Sequence, residues 1–294
     1  MIYTIENELL KIDIDSFGAQ MMSIYSKQTG IEYLWQGNKA IWGGRAYNLF
    51  PTIGRMYGNE YTYEGKRYSL RNHGIARYYE FTAMPQTAAT EITFVLTENA
   101  AEDILAQYPF EFSYSVTFSL DGNRIGVRHE AKNTGAKTLI CAFGGHPGFN
   151  VPFDGGAFED YYVEFDEATE AIQHLMTPAK FISGETMPYP LVDGVKIPLQ
   201  HSLFDNDAVI LSNTCGAATL RRDGSNKYVK MYYRDFQYFA LWHIEGNSPY
   251  VCFEPWQVLC ASDGIVDDLA TKKDMLHIAP GDSASAAFVI EIGE

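Results

Sequence analysis

The sequence predicts an all-β protein of antiparallel strands, and three observations carry that expectation. Apolar residues recur with a period of two, short turn signals separate the runs, and helical spacing is confined to brief segments. Leu10, Ile12 and Ile14 alternate with polar partners near the start. Ile92, Phe94 and Leu96 do the same, then Phe112, Tyr114, Val116, Phe118 and Leu120, and finally Phe288, Ile290 and Ile292. Alternate side chains of a strand point to opposite faces, so each run reads as a strand with one face on a core. Asp121-Gly122-Asn123 separates the Phe112 run from Ile125 and Val127, which predicts consecutive strands joined by a tight hairpin. Helical spacing over 100–107, ahead of Pro109, and again over 267–273 predicts two short connectors. Residues 154–200 show no clear period. With no Pro/Ser-rich linker, charge block or repeat, one domain over 1–294 is expected.

Composition narrows the functional classes. Apolar residues at 46% and charged residues at 20% are a globular balance. No apolar run approaches the roughly 18 residues that span a bilayer. Glu6 and Glu8 follow Met1 where a leader would carry basic and then apolar residues, so a soluble, cytoplasmic protein is expected. The formal charge of -15 opposes attraction to phosphate backbones and anionic lipids, so neither nucleic acid nor membrane is an expected partner. Cys141, Cys215, Cys252 and Cys260 form no CxxC pair, and they read as small buried apolar side chains. No metal or cofactor is expected, and oligomeric state is not legible.

Chemistry is first suggested by Phe253-Glu254-Pro255-Trp256, where a carboxylate sits between aromatic rings and against a proline. Apolar neighbours raise a carboxyl pKa towards the range useful for proton exchange, though a solvated glutamate at a strand end would fit the same letters. Two of the seven histidines stand in unusual company. His146 lies in Gly144-Gly145-His146-Pro147-Gly148-Phe149-Asn150, where glycines remove side-chain cover and Pro147 biases the backbone to extension. His73 lies in Asn72-His73-Gly74, where the glycine can take a positive φ beside the ring. His129, His174, His201, His243 and His277 read as structural or surface residues. Arg55, in Pro51-Thr52-Ile53-Gly54-Arg55, can hold two adjacent oxygens or form a surface ion pair. Asp205, in Phe204-Asp205-Asn206-Asp207, is an acidic turn or a hydroxyl acceptor. Aromatic residues reach 14%, and Tyr232, Tyr233, Phe236, Tyr238, Phe239 and Trp242 fall close together, which suits either core packing or the C–H faces of a sugar.

Taken in order, Phe50-Pro51 with Gly54-Arg55, Asn72-His73-Gly74 with Ala76-Arg77, His146-Pro147-Gly148-Phe149-Asn150, and Glu254-Pro255-Trp256 make the chain resemble the aldose 1-epimerase, or galactose mutarotase-like, family. It is most similar to the LacX-type branch, and the likeness runs from Tyr33-Leu34-Trp35 to the Glu254 segment. The resemblance implies an antiparallel β-supersandwich with a sugar cleft on a concave sheet, and cofactor-free interconversion of α and β anomers. Position by position it makes Glu254 the base, His146 the general acid and His73 a second histidine at the reacting centre. Arg55, Asp205, Asn72 and Arg77 become substrate contacts, with Asp207 two residues from the aspartate. The chain departs from the branch at Tyr47-Asn48, where Ala-Pro is more common, which alters the pocket rim.

Mutarotation suits these residue types. One group takes the proton of the anomeric O1 while another gives a proton to the ring O5, and the transfers reverse after rotation about C1–C2. The expected resting state has Glu254 ionised and His146 protonated, each sustaining the other. A non-catalytic sugar binder would use the same aromatic surface. A glycoside hydrolase needs two facing carboxylates, where only Glu254 stands out. A metal enzyme would recruit His73, His146, Asp205 and Glu254, whose spacing carries no metal signature. Arg55, Arg71 and Arg77 leave a phosphorylated sugar open as substrate.

Overall fold

A computed structural model of the chain describes residues 1–293. Each alternating run becomes a strand: Leu10–Asp15, Glu91–Thr97, Phe112–Asp121 and Ser283–Gly293. The Asp121-Gly122-Asn123 turn joins Phe112–Asp121 to Arg124–Asn133 in register, with Asp121 opposite Arg124. Of Arg124–Asn133, Ile125, Val127, His129 and Ala131 are buried on one face.

Nine strands form one antiparallel sheet, in spatial order Lys196–Pro198, Tyr161–Phe165, Ala217–Arg222, Tyr228–Tyr232, Ser283–Gly293, Arg124–Asn133, Phe112–Asp121, Glu91–Thr97 and Thr82–Ala83. Seven form a second, in the order Ile182–Pro188, Ile172–Met176, Val209–Ser212, Tyr238–Trp242, Tyr250–Trp256, Gly144–Asn150 and Ala46–Leu49. Side chains from the two sheets meet between them. Phe239 of the seven-stranded sheet lies edge-on to Phe165 of the nine-stranded one, ring centroids 6.3 Å apart. A Cβ on Gly145 would come within 2.6 Å of the Phe288 ring, so the sheets touch there with no space for a side chain. The core is one hydrophobic cluster whose members run from Ile5 to Ile292. The architecture is thus an all-β antiparallel sandwich, as expected.

The connectors differ from expectation in one place. Residues 100–107 hold the end of a 3-10 turn at Glu98–Ala100 and a single helical turn, Ile104–Gln107. Residues 267–273 form a short bridge of Asp268 to Thr62 and hydrogen-bonded turns, with Asp268 Oδ1 accepting the Ala270 N–H and closing the first turn locally instead of letting a helix propagate. Residues 154–200 contain four strands. Ile182–Pro188 shows why they were illegible: it is an edge strand exposed at every position after Ile182. Among the described residues no helix is long and apolar enough to cross a membrane.

Candidate active site

The cleft lies on the seven-stranded sheet, on the face turned away from the other sheet. Strands Gly144–Asn150 and Tyr250–Trp256 pair antiparallel with Gly144 opposite Trp256 and Gly148 opposite Cys252, which sets His146 opposite Glu254. Cross-strand neighbours share a face. Tyr250, Cys252, Glu254 and Trp256 therefore stand in one row beside Gly144, His146, Gly148 and Asn150. The adjoining strand adds Trp242 opposite Cys252 and only Ala240 opposite Glu254, which leaves the carboxyl uncovered on that side.

The central contact is His146 Nε2 to Glu254 Oε1, 3.2 Å, with 6% and 2% of the two side chains exposed. Trp256 Nε1–H donates to Glu254 Oε2 at 3.2 Å. Burial holds the Glu254 carboxyl well above the usual carboxylate range, the Asp207 charge adds to this, and Trp256, Arg77 and Arg55 oppose it. Burial also pushes the His146 ring down to about 3, with Arg77 acting in the same direction. Both directions favour the neutral forms, a protonated carboxyl against an uncharged imidazole 3.2 Å away. This corrects the expected resting ion pair: desolvation penalises both charged forms. His146 Nδ1 is buried without a partner.

His73 enters from a loop. His73 and Gly74 both take left-handed backbone, with φ of 65° and 77°. A Cβ on Gly74 would lie 2.3 Å from the Phe50 carbonyl oxygen, so only glycine lets the chain pass there. The Gly54 N–H donates to His73 Nδ1 at 3.1 Å, which leaves the proton on Nε2. Burial, followed by His146, Arg77 and Arg55, holds this ring well below the usual imidazole range, so it is a neutral donor. Its ring stands edge-on to that of His146, centroids 5.3 Å apart.

The polar rim is built around Asp207. Arg55 Nη1 donates to Asp207 Oδ2 at 2.6 Å and Trp242 Nε1 donates to Oδ1 at 2.7 Å. Asp207 is buried and takes φ 75°, which turns it inward just before strand Val209–Ser212. Asp205 ends the preceding 3-10 turn, is exposed, and does not line the cleft. The expectation for Asp205 is redirected to Asp207, because the turn after Phe204 reverses the chain between the two. Asn72, Arg55, Arg77, His73, His146 and Glu254 all line the same cleft. Asn72 Oδ1 is buried without a partner. The Arg77 guanidinium lies over the Tyr47 ring, 3.6 Å from its centroid. Arg71 instead sits over Tyr78, at 3.8 Å, outside the cleft lining.

Sequence reasoning missed much of the apolar wall. Trp42, Met176, Ala208 and Cys260 line the cleft. Trp42 stacks on His146 and on Tyr250, with centroids 5.2 Å away in each case, and Gly148 provides the space, since a Cβ there would be 3.0 Å from the indole. The Trp42-Gly43-Gly44-Arg45 run was the available signal. Tyr47, at the departure from the branch pattern, forms the rim under Arg77, and Asn48 is buried with its amide donating to Gly18 and Ala19 carbonyls.

Comparison with known proteins gives matches by family and by fold. The family model described as aldose 1-epimerase matches residues 1–266. Protein LacX, plasmid, of Lactococcus lactis subsp. lactis is 30% identical over 301 residues, covering 99% of each chain. A galactose mutarotase related enzyme of Lactobacillus acidophilus superposes with a TM-score of 0.93 at 34% identity, over 100% of this chain and 98% of that one. A galactose mutarotase-like protein of Lactobacillus casei gives 0.93 at 30% identity, over 99% of this chain and 100% of that one.

Proposed function

The chain belongs to the aldose 1-epimerase family, and from that premise we propose that it interconverts the α and β anomers of a hexose by general acid/base ring opening and reclosure. The observation that carries the reading is the buried His146–Glu254 pair, in contact at 3.2 Å at the floor of an aromatic-walled cleft, with burial favouring one exchangeable proton between them. Mutarotation needs a site that takes one proton and gives another with no net change, and such a pair does that in either direction.

As the sugar docks, its hydroxyls and the surrounding donors replace the missing solvation, and the shared proton passes from Glu254 to His146. Glu254 then takes the O1 proton while His146 protonates O5, opening the ring. The Nε2–H of neutral His73 supports the charge that develops on the ring oxygen. After C1–C2 rotation the transfers run backwards and close the other anomer. Arg55 and Asp207 hold one another and present the remaining acceptor and donor positions to sugar hydroxyls, joined by Asn72 and Arg77. Trp42 and Trp242 keep bulk water from the pair and offer π faces to the C–H surface.

A hexose 6-phosphate is the second reading. Arg77 favours it: among the described residues it lines the cleft and makes no ion pair within 4.0 Å. Both readings are tested by following α-to-β conversion of glucose, galactose and their 6-phosphates by NMR or polarimetry. Glu254→Gln is expected to lower kcat by about 10²- to 10⁴-fold on the preferred sugar. Sugar binding with an unchanged rate of anomerisation, in wild type and variant alike, would instead identify a binding protein.

A further inference from the structure

Beneath the cleft lining, the same sheet face holds a third polar side chain that mutarotation does not use, Cys252, fully buried against Trp35 and Tyr250. Cys252 stands two residues before Glu254 on the same strand face and opposite Gly148, while His146 stands opposite Glu254. Gly148 has no side chain to separate them: a Cβ there would lie 3.3 Å from the Cys252 sulfur. One ligand atom each from His146, Cys252 and Glu254 lie within 4.8 Å of one another, and all three residues are buried. A second observation points to a ligand, namely the buried, unpartnered Nδ1 of His146, whose residue is only 5% exposed.

We propose that this trio is a chelating site for a thiophilic divalent cation of the Zn²⁺ type, and that its occupation shuts the reaction centre. An imidazole nitrogen, a thiolate and a carboxylate form a three-ligand set that leaves the fourth tetrahedral position open. Zn–N, Zn–S and Zn–O lengths of about 2.0 to 2.3 Å require donor separations of about 3.3 to 3.8 Å, so side-chain rotation of about 1 Å closes the set. Coordination displaces the thiol proton and the proton shared by the pair. One thiolate and one carboxylate then offset the two charges of the ion, which matters at a site this dry. Sulfur and the low donor number disfavour Mg²⁺ and Ca²⁺, which take six or more oxygens. The bound ion ties up both groups that must exchange protons with the sugar. This inhibition rests on the mutarotase reading, whereas chelation itself does not.

The test titrates the full chain with ZnCl₂ by calorimetry and, in parallel, follows mutarotation. One zinc per chain is expected, with activity lost at saturation, restored by a chelator and untouched by Mg²⁺. Cys252→Ala and Cys252→Ser, which remove no proposed sugar contact, are expected to keep the basal rate. They should weaken zinc binding about tenfold or more, since even outer-shell losses cost about 10- to 100-fold. Co²⁺ bound to wild type should show a thiolate charge-transfer band that Cys252→Ser lacks. No zinc binding, no such band, or equal affinity in the Cys252 variants overturns the proposal. Absence of mutarotation on every sugar without zinc would instead sink the mutarotase reading and leave the calorimetric and cobalt results standing.

Discussion

At the scale of single residues, the site divides into what local sequence shows and what folding brings in. His73, His146 and Arg55 were legible because glycine or proline beside each announces an exposed or left-handed backbone. Glu254 was legible from its apolar neighbours. Asp207 was not separable from Asp205 by letters alone, since the choice is made by a turn in which Asp207 adopts φ 75° and swings towards Arg55 and Trp242. That difference is testable. Asp207→Asn weakens the 2.6 Å charged contact to Arg55 and is expected to raise KM about tenfold, by loss of roughly 1.5 kcal/mol of charged hydrogen bonding. Asp205→Asn, at an exposed position outside the cleft, should leave KM and kcat unchanged. The opposite ranking, read from steady-state kinetics of the two variants, would return Asp205 to the site.

At the scale of elements, the period-two runs were read correctly because one face of each is buried against the other sheet, whereas Ile182–Pro188 was missed because an exposed edge strand needs no apolar alternation. The strand Gly144–Asn150, which carries His146, is a mixed case. Its glycines read as removing side-chain cover beside His146, yet they serve a strand squeezed on both faces: Gly145 against Phe288 behind, Gly148 under Trp42 in front. Tertiary contact, which no local pattern encodes, explains them. Gly145→Ala places a methyl about where the Phe288 ring edge already lies, so overpacking should cost about 1 to 3 kcal/mol. Urea unfolding should show a lower midpoint at unchanged slope, and Gly145→Ala combined with Phe288→Leu should recover part of the loss. An unperturbed midpoint in the single variant would mean that the sheets separate there at little cost.

At the scale of the whole molecule, several buried rings make folding sensitive to acid. Burial depresses His129, fully enclosed beside the Tyr114 hydroxyl, to about 3, and His243 to about 4, while His73 is held well below its usual value. The unfolded chain takes up these protons as pH falls through about 6.5 and the folded chain does not, so their contribution is complete above that value and lost below it. The His146–Glu254 pair behaves differently. Folded, it carries one proton; unfolded, between about pH 4.5 and 6.5, a protonated imidazole and an ionised carboxylate also carry one, so the pair is silent in that window. Acid sensitivity between pH 6.5 and 4.5 therefore belongs to His129, His243 and His73, each adding a slope of up to about 1.4 kcal/mol per pH unit, together with a smaller part from the half-buried His174, whose ring burial also lowers. Urea midpoints measured at pH 7.5, 6.0 and 5.0 are expected to fall steadily once below pH 6.5. Replacing His129 and its partner together, as His129→Phe with Tyr114→Phe, removes one titrating ring without leaving an orphaned hydroxyl and should flatten the dependence. A wild-type midpoint that stays constant over this range would show that these rings keep their charge inside the fold, against the desolvation that the sandwich imposes on them.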